Sequence, residues 1–280
     1  MPGVNTTGQP NPSDYNLGRG AVYFASLDTT TGLPLSYRHL GNCPAFTVTV
    51  EPELLEHQSS RAGLKVTDLE IVVSQKTSVS VTLDEATNFE NLAFFFSGSS
   101  VNDETNTART TVTNVEISSS IVKGRWYDLR NASGARLYDL SGSLVVKAGA
   151  ASPGSTITLG TDYTVDAVMG RIFIPSTSTV TAGHKLFFDY TTASNESAVD
   201  RVYGLTASQI KGALKFVSTN PADSGKRVEY QFHEVSIRPE GDLALIGDEF
   251  TQITLTGTAN KNTKLPATSQ VVTITTHADS

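Results

Sequence analysis

Residues able to do chemistry are few and scattered in this chain. The five histidines are His39, His57, His184, His233 and His277. No two stand four residues apart and none lies near the single cysteine, so no zinc site is expected. Cys43 sits in Gly41-Asn-Cys-Pro44 with no base beside it. It reads as a packed or surface thiol rather than a nucleophile. One thiol cannot close an intrachain disulfide, which suits a chain folded in a reducing cytosol.

The carboxylates are no more suggestive of catalysis. Asp162 and Asp166 flank Tyr163-Thr-Val165; at that spacing on a strand they share a side but lie about 13 Å apart, too far to act as a glycosidase pair. Glu51, Glu53 and Glu56 cluster in a segment that also holds His57, Arg61, Lys65 and Asp68. Interleaved bases compete with a calcium ion for such carboxylates, so ion pairs to a neighbouring subunit are the preferred reading. GxSxG, Walker-type and HExxH patterns are absent, and Gly18-Arg-Gly20 is too short for a dinucleotide fingerprint. No catalytic, cofactor or metal residue is expected, and the chain is not expected to be an enzyme.

Composition narrows the class further. Of 280 residues, 38% are hydrophobic and 18% charged, with a net charge of −7. Ser, Thr and Gly fill the difference, and threonine suits exposed strand faces. No stretch concentrates Lys and Arg, so sequence-specific nucleic-acid binding is not expected. The Gly-, Pro- and Asn-rich first twenty residues lack the charged and apolar regions of a secretory leader, and no apolar run is long enough to span a membrane.

The elements that would position these groups are strands. Period-2 alternation runs through Val22, Phe24 and Ser26, then Phe46, Val48 and Val50, a half-buried pattern. Leu69, Ile71 and Val73, followed by Val79, Val81 and Leu83, predict a strand pair. Between these stretches, 53–68 is polar and mixed in charge without a sustained period. It reads as a connection long enough to serve contact with a partner. Thr87-Asn-Phe-Glu90 has the spacing of a capping box, and Phe89, Leu92, Ala93 and Phe96 share one face of the helix it predicts, ended by Ser97-Gly98.

From about residue 120 short strands recur at 144–147, 156–159, 163–165, 171–174 and 185–191, with turn residues between, as in a small β-sandwich. Longer period-2 strands then return with Ile210, Gly212, Leu214 and Phe216, and with Val228, Tyr230 and Phe232. A phase slip at His233-Glu234 before Val235 and Ile237 predicts a β-bulge. Segments 243–246, 253–255 and 271–274 complete the predicted strands. The fold class is therefore all-β with one short helix. The predicted organisation is an N-terminal arm over 1–17, a discontinuous β domain over 18–119 and 201–260, an inserted β-sandwich over 120–200, and a C-terminal arm over 261–280.

Three stretches carry a resemblance. They are Tyr15-Asn-Leu-Gly-Arg-Gly20 with Val22-Tyr-Phe24; Glu51-Pro-Glu-Leu-Leu-Glu-His-Gln-Ser-Ser60 with Gly63 and Asp68; and Gly241-Asp-Leu-Ala-Leu-Ile-Gly-Asp-Glu-Phe-Thr251 with Leu255-Thr-Gly257. In this order, across about 15–260, the chain resembles the major tail tube proteins of long-tailed, siphovirus-like bacteriophages. Region 120–193 is similar to the immunoglobulin-like decorations some of them carry.

The resemblance implies a tail-tube β-sandwich or barrel with an inserted immunoglobulin-like domain, forming hexameric rings that stack into the conduit for genome delivery. It implies a virion tail protein assembled in the host bacterial cytoplasm. Its partners would be further copies of itself and the tape measure, tail terminator and distal tail proteins, with viral DNA sliding through an acidic lumen unbound. Glu53, Glu56, His57, Arg61, Lys65 and Asp68 would form the contact to the adjacent ring. The competing reading is an adhesin or carbohydrate-binding β-sandwich. Trp126-Tyr127 and Tyr138 are the local aromatic cluster that invites it, though a core role is the expectation for these rings.

Overall fold

The computed structural model describes residues 15, 17–59, 63–104, 111–191, 199–219 and 227–277. Strands take 54% of the chain and helical turns 4%, so the fold is all-β. The chain divides into unit 1, Met1–Ser100 with Val202–Ser280, and unit 2, Val101–Arg201. Unit 1 begins with β1 (Gly20–Leu27), β2 (Pro34–His39), β3 (Ala45–Ser59), β4 (Val66–Leu83) and α1 (Phe89–Phe95), and β5 (Ser99–Glu104) follows at the crossing. Unit 2 holds β6 (Val112–Ser118), β7 (Arg125–Asp128), β8 (Ser143–Gly149), β9 (Ser155–Thr156), β10 (Thr164–Asp166), β11 (Arg171–Ile174) and β12 (Lys185–Thr191). The return runs through β13 (Val199–Tyr203), which pairs with β5, then β14 (Ile210–Ser218), β15 (Arg227–Glu240), β16 (Ile253–Ala259) and β17 (Val272–His277).

Unit 1 is built on one sheet in the order β2-β1-β14-β15-β16-β4-β3, with β17 added beside β15. Alternation decides which face is covered. Val22 and Phe24, Leu214, Phe232, Val235 and Ile237, Ile253 and Leu255, and Val79, Val81 and Leu83 meet in one buried cluster. The bulge in β15 falls where the phase slips: Gly212 opposes Val235 and Leu214 opposes Phe232, leaving His233 and Glu234 against Ala213 alone. The extra residue keeps Phe232 and Val235 on the same apolar face although they are three residues apart. Gly212 admits no side chain, because a Cβ there would lie 2.2 Å from the Phe24 ring and 2.4 Å from the Ala25 carbonyl oxygen.

Helix α1 covers this core by packing on β15 and β16. Its cap is Asn88, one residue later than the predicted Thr87; Asn88 Oδ1 accepts from the N–H groups of Glu90 (3.0 Å) and Asn91 (3.2 Å). The preceding turn, closed by Asn88 N–H to the Glu85 carbonyl, puts the extended cap conformation at Asn88. The helix ends where predicted: Gly98 N–H donates to the Ala93 carbonyl while Ser97 adopts φ 45°. The buried face is rotated from the predicted one. Ala93 and the polar Asn91 are buried, Leu92, Phe94 and Phe95 pack at the edge of the core, and Phe96 is exposed. Asn91 is held because its Nδ2 donates to the carbonyls of Leu40 and Glu85 and its Oδ1 accepts from Arg38.

Three predicted elements differ. Residues 53–68 are not a loop: β3 runs through Ser59 and β4 starts at Val66, paired in continuous register from Ala45↔Thr82 to Ser59↔Val66 with two bulges. The predicted strand pair over 69–83 is correspondingly one strand, since Ser74-Gln-Lys-Thr77 stays in the ladder and pairs with Glu53, Pro52, Glu51 and Val50. The segment 243–246 is irregular and largely exposed rather than a strand. The expected C-terminal arm contains β17, which pairs with β15 from Arg227↔His277 to Phe232↔Val272. The predicted N-terminal arm, apart from Tyr15 and Leu17, lies outside the described residues.

Unit 2 begins at Val101 rather than at 120, because β6 pairs with β12. A four-stranded sheet, β6-β12-β8-β9, and a three-stranded sheet, β10-β11-β7, enclose one core. Ile172 and Ile174 from one sheet meet Val146, Leu186, Phe188 and Tyr190 from the other, the inward alternation of a sandwich.

Candidate functional site

Burial, with Asp84 and Glu85 nearby, pushes the Cys43 thiol up to about 11, so it stays protonated. Asp162 is buried and accepts from the Thr158 and Thr179 N–H groups and the Thr179 and Ser178 hydroxyls; those donors hold its carboxyl below the usual range. Asp166 receives the Arg171 guanidinium at 2.9–3.0 Å. The two carboxylates thus serve separate structural contacts. Burial lowers His233, whose Nε2 meets the Thr273 hydroxyl at 2.8 Å. Among the described residues no three His, Cys, Asp or Glu side chains gather as a metal site, and no helix is long and apolar enough to cross a membrane.

The aromatic cluster divides. Tyr127 faces the core edge, its hydroxyl bonded to the Val122 backbone. Trp126 points outward and is 49% exposed, with Phe173 at 5.1 Å and the Arg171 guanidinium over its ring at 4.4 Å. Strand alternation places neighbours on opposite faces, so a core role fits Tyr127 and not Trp126. Tyr138 carries the guanidinium groups of Arg136 and Arg201 over its ring.

The unusual feature is the outer half of the β3–β4 ribbon. Leu54, Leu55, Val66, Leu69, Ile71, Val72 and Val73 are all exposed there, and Leu64 is exposed in the turn. Register assigns their faces. Leu54 opposes Val72 on one face; Leu55 opposes Ile71, and His57 opposes Leu69, on the other. A two-stranded ribbon has only these faces to hide apolar groups, and here neither is covered by a described residue. Along its free edge β3 has β4 as its one partner strand among the described residues. Such an edge is open to a further strand.

Five of the six predicted contact residues, Glu53, Glu56, His57, Lys65 and Asp68, lie on or beside this ribbon. His57 Nδ1 is 2.6 Å from Asp68 Oδ1, both exposed, and Glu53 accepts from the Ser74 hydroxyl at 2.7 Å. Glu56 directly opposes Glu70, a like-charge pair that costs stability where it stands. Lys65 is exposed in the turn and Arg61 lies outside the described residues. The structure therefore joins His57 to Asp68 within the chain and sets Glu53 and Glu56 on the same strand. The apolar residues are what the charge pattern hid. Their signal was present in Leu54-Leu55 and Ile71-Val-Val73, runs that break alternation and so place apolar groups on both faces.

The fold and this surface define an all-β protein with an extended, uncovered ribbon and an inserted β-sandwich. The chain belongs to the family described as Protein of unknown function UCP028589, whose model matches residues 15–272. No curated protein matches it.

Proposed function

We infer that this is a structural virion protein that polymerises as stacked hexameric rings into a phage tail tube, the conduit for genome delivery. The observation that carries this reading is the β3–β4 ribbon, apolar on both faces and open along one edge. Covering a half-exposed Leu, Ile or Val contributes about 1 kcal/mol, so the ribbon offers several kcal/mol per copy before the costs of association. An edge strand is a liability in a monomer and a bonding surface in an assembly. An interface between unlike surfaces that closes on itself gives a ring, and stacking extends it. The ribbon then makes the contact to the adjacent ring, carrying Glu53, Glu56, His57, Lys65 and Asp68 with it. The net charge of −7 favours passage of DNA without adhesion. The remaining partners are the tape measure, tail terminator and distal tail proteins.

Negative-stain electron microscopy of the purified chain tests this: rings or tubes are expected, and a strictly monomeric species at high concentration overturns it. Removing residues 54–73 and joining Glu53 to Ser74, which oppose each other in the ladder, through a two-residue Asn-Gly turn should abolish stacking with the core still folded. A second reading, a carbohydrate-binding adhesin, is favoured by one observation, the outward Trp126 beside Phe173. Glycan-array binding by a stable monomer would support it.

A further inference from the structure

We draw no further inference here: the strongest candidate, the open cleft of unit 1 floored by Phe46, Phe216 and Tyr230, carries none because nothing in the structure shows what covers it.

Discussion

In the half of β4 nearest α1, Val79, Val81 and Leu83 are 4%, 3% and 0% exposed; in the outer half, Leu69, Ile71 and Val73 are 53%, 48% and 54% exposed. Both triplets have the same spacing and comparable apolarity. The inner triplet lies between β16 and β3 in the buried cluster, whereas the outer one has β3 as its one neighbouring strand among the described residues. One strand therefore has two fates, decided by what lies beyond it. Its inner half belongs to the core of unit 1, and its outer half pairs with β3 alone among the described residues. Uncovered apolar surface at this density is what the proposed contact between rings would bury.

Substitutions along this contrast should fall in a clear order. Phe232→Ala, in the core shared with the inner half, should cost about 3–5 kcal/mol in denaturant unfolding. A loss below about 1 kcal/mol would mean that this core does not carry the stability of unit 1. Gly212→Ala drives a methyl group into Phe24 and the Ala25 carbonyl and should cost about 1–3 kcal/mol in the same measurement. Asn88→Ala removes both helix-cap bonds and should cost about 1 kcal/mol, detected as faster amide exchange at Glu90 and Asn91. Ile71→Ala, in the outer half, should change monomer stability by no more than about 0.5 kcal/mol while weakening assembly. A large loss of monomer stability at Ile71 would erase the distinction between the two halves.

Much of the fold was legible from local pattern. Alternation located β1 and β14 closely and the spacing of turn residues located β11 and β12, while the slip at His233-Glu234 marked the bulge, because a period of two reports directly which side chains share a face. Helix α1 was legible from its cap residues and its Ser97-Gly98 stop, but not the burial of Asn91. That burial depends on acceptors at Leu40 and Glu85 and a donor at Arg38, which the chain brings together only in three dimensions. The candidate surface was located by its charges and misread as a loop. Polar residues such as Glu53, Gln58 and Asp68 are tolerated in a strand whose faces are open to water, so their presence could not exclude one.

The sequence by itself determined that the chain is all-β with one helix, and that residues 53–68 stand apart from their surroundings in charge. Only the tertiary structure decided that these residues extend a two-stranded ribbon beyond the core, that Leu245, Ile246 and Phe250 stand in solvent, and that Trp126 faces outward. The physical reason is common to all three. Apolarity is a property of a residue, whereas burial is a property of its neighbours, and those neighbours are distant in the chain.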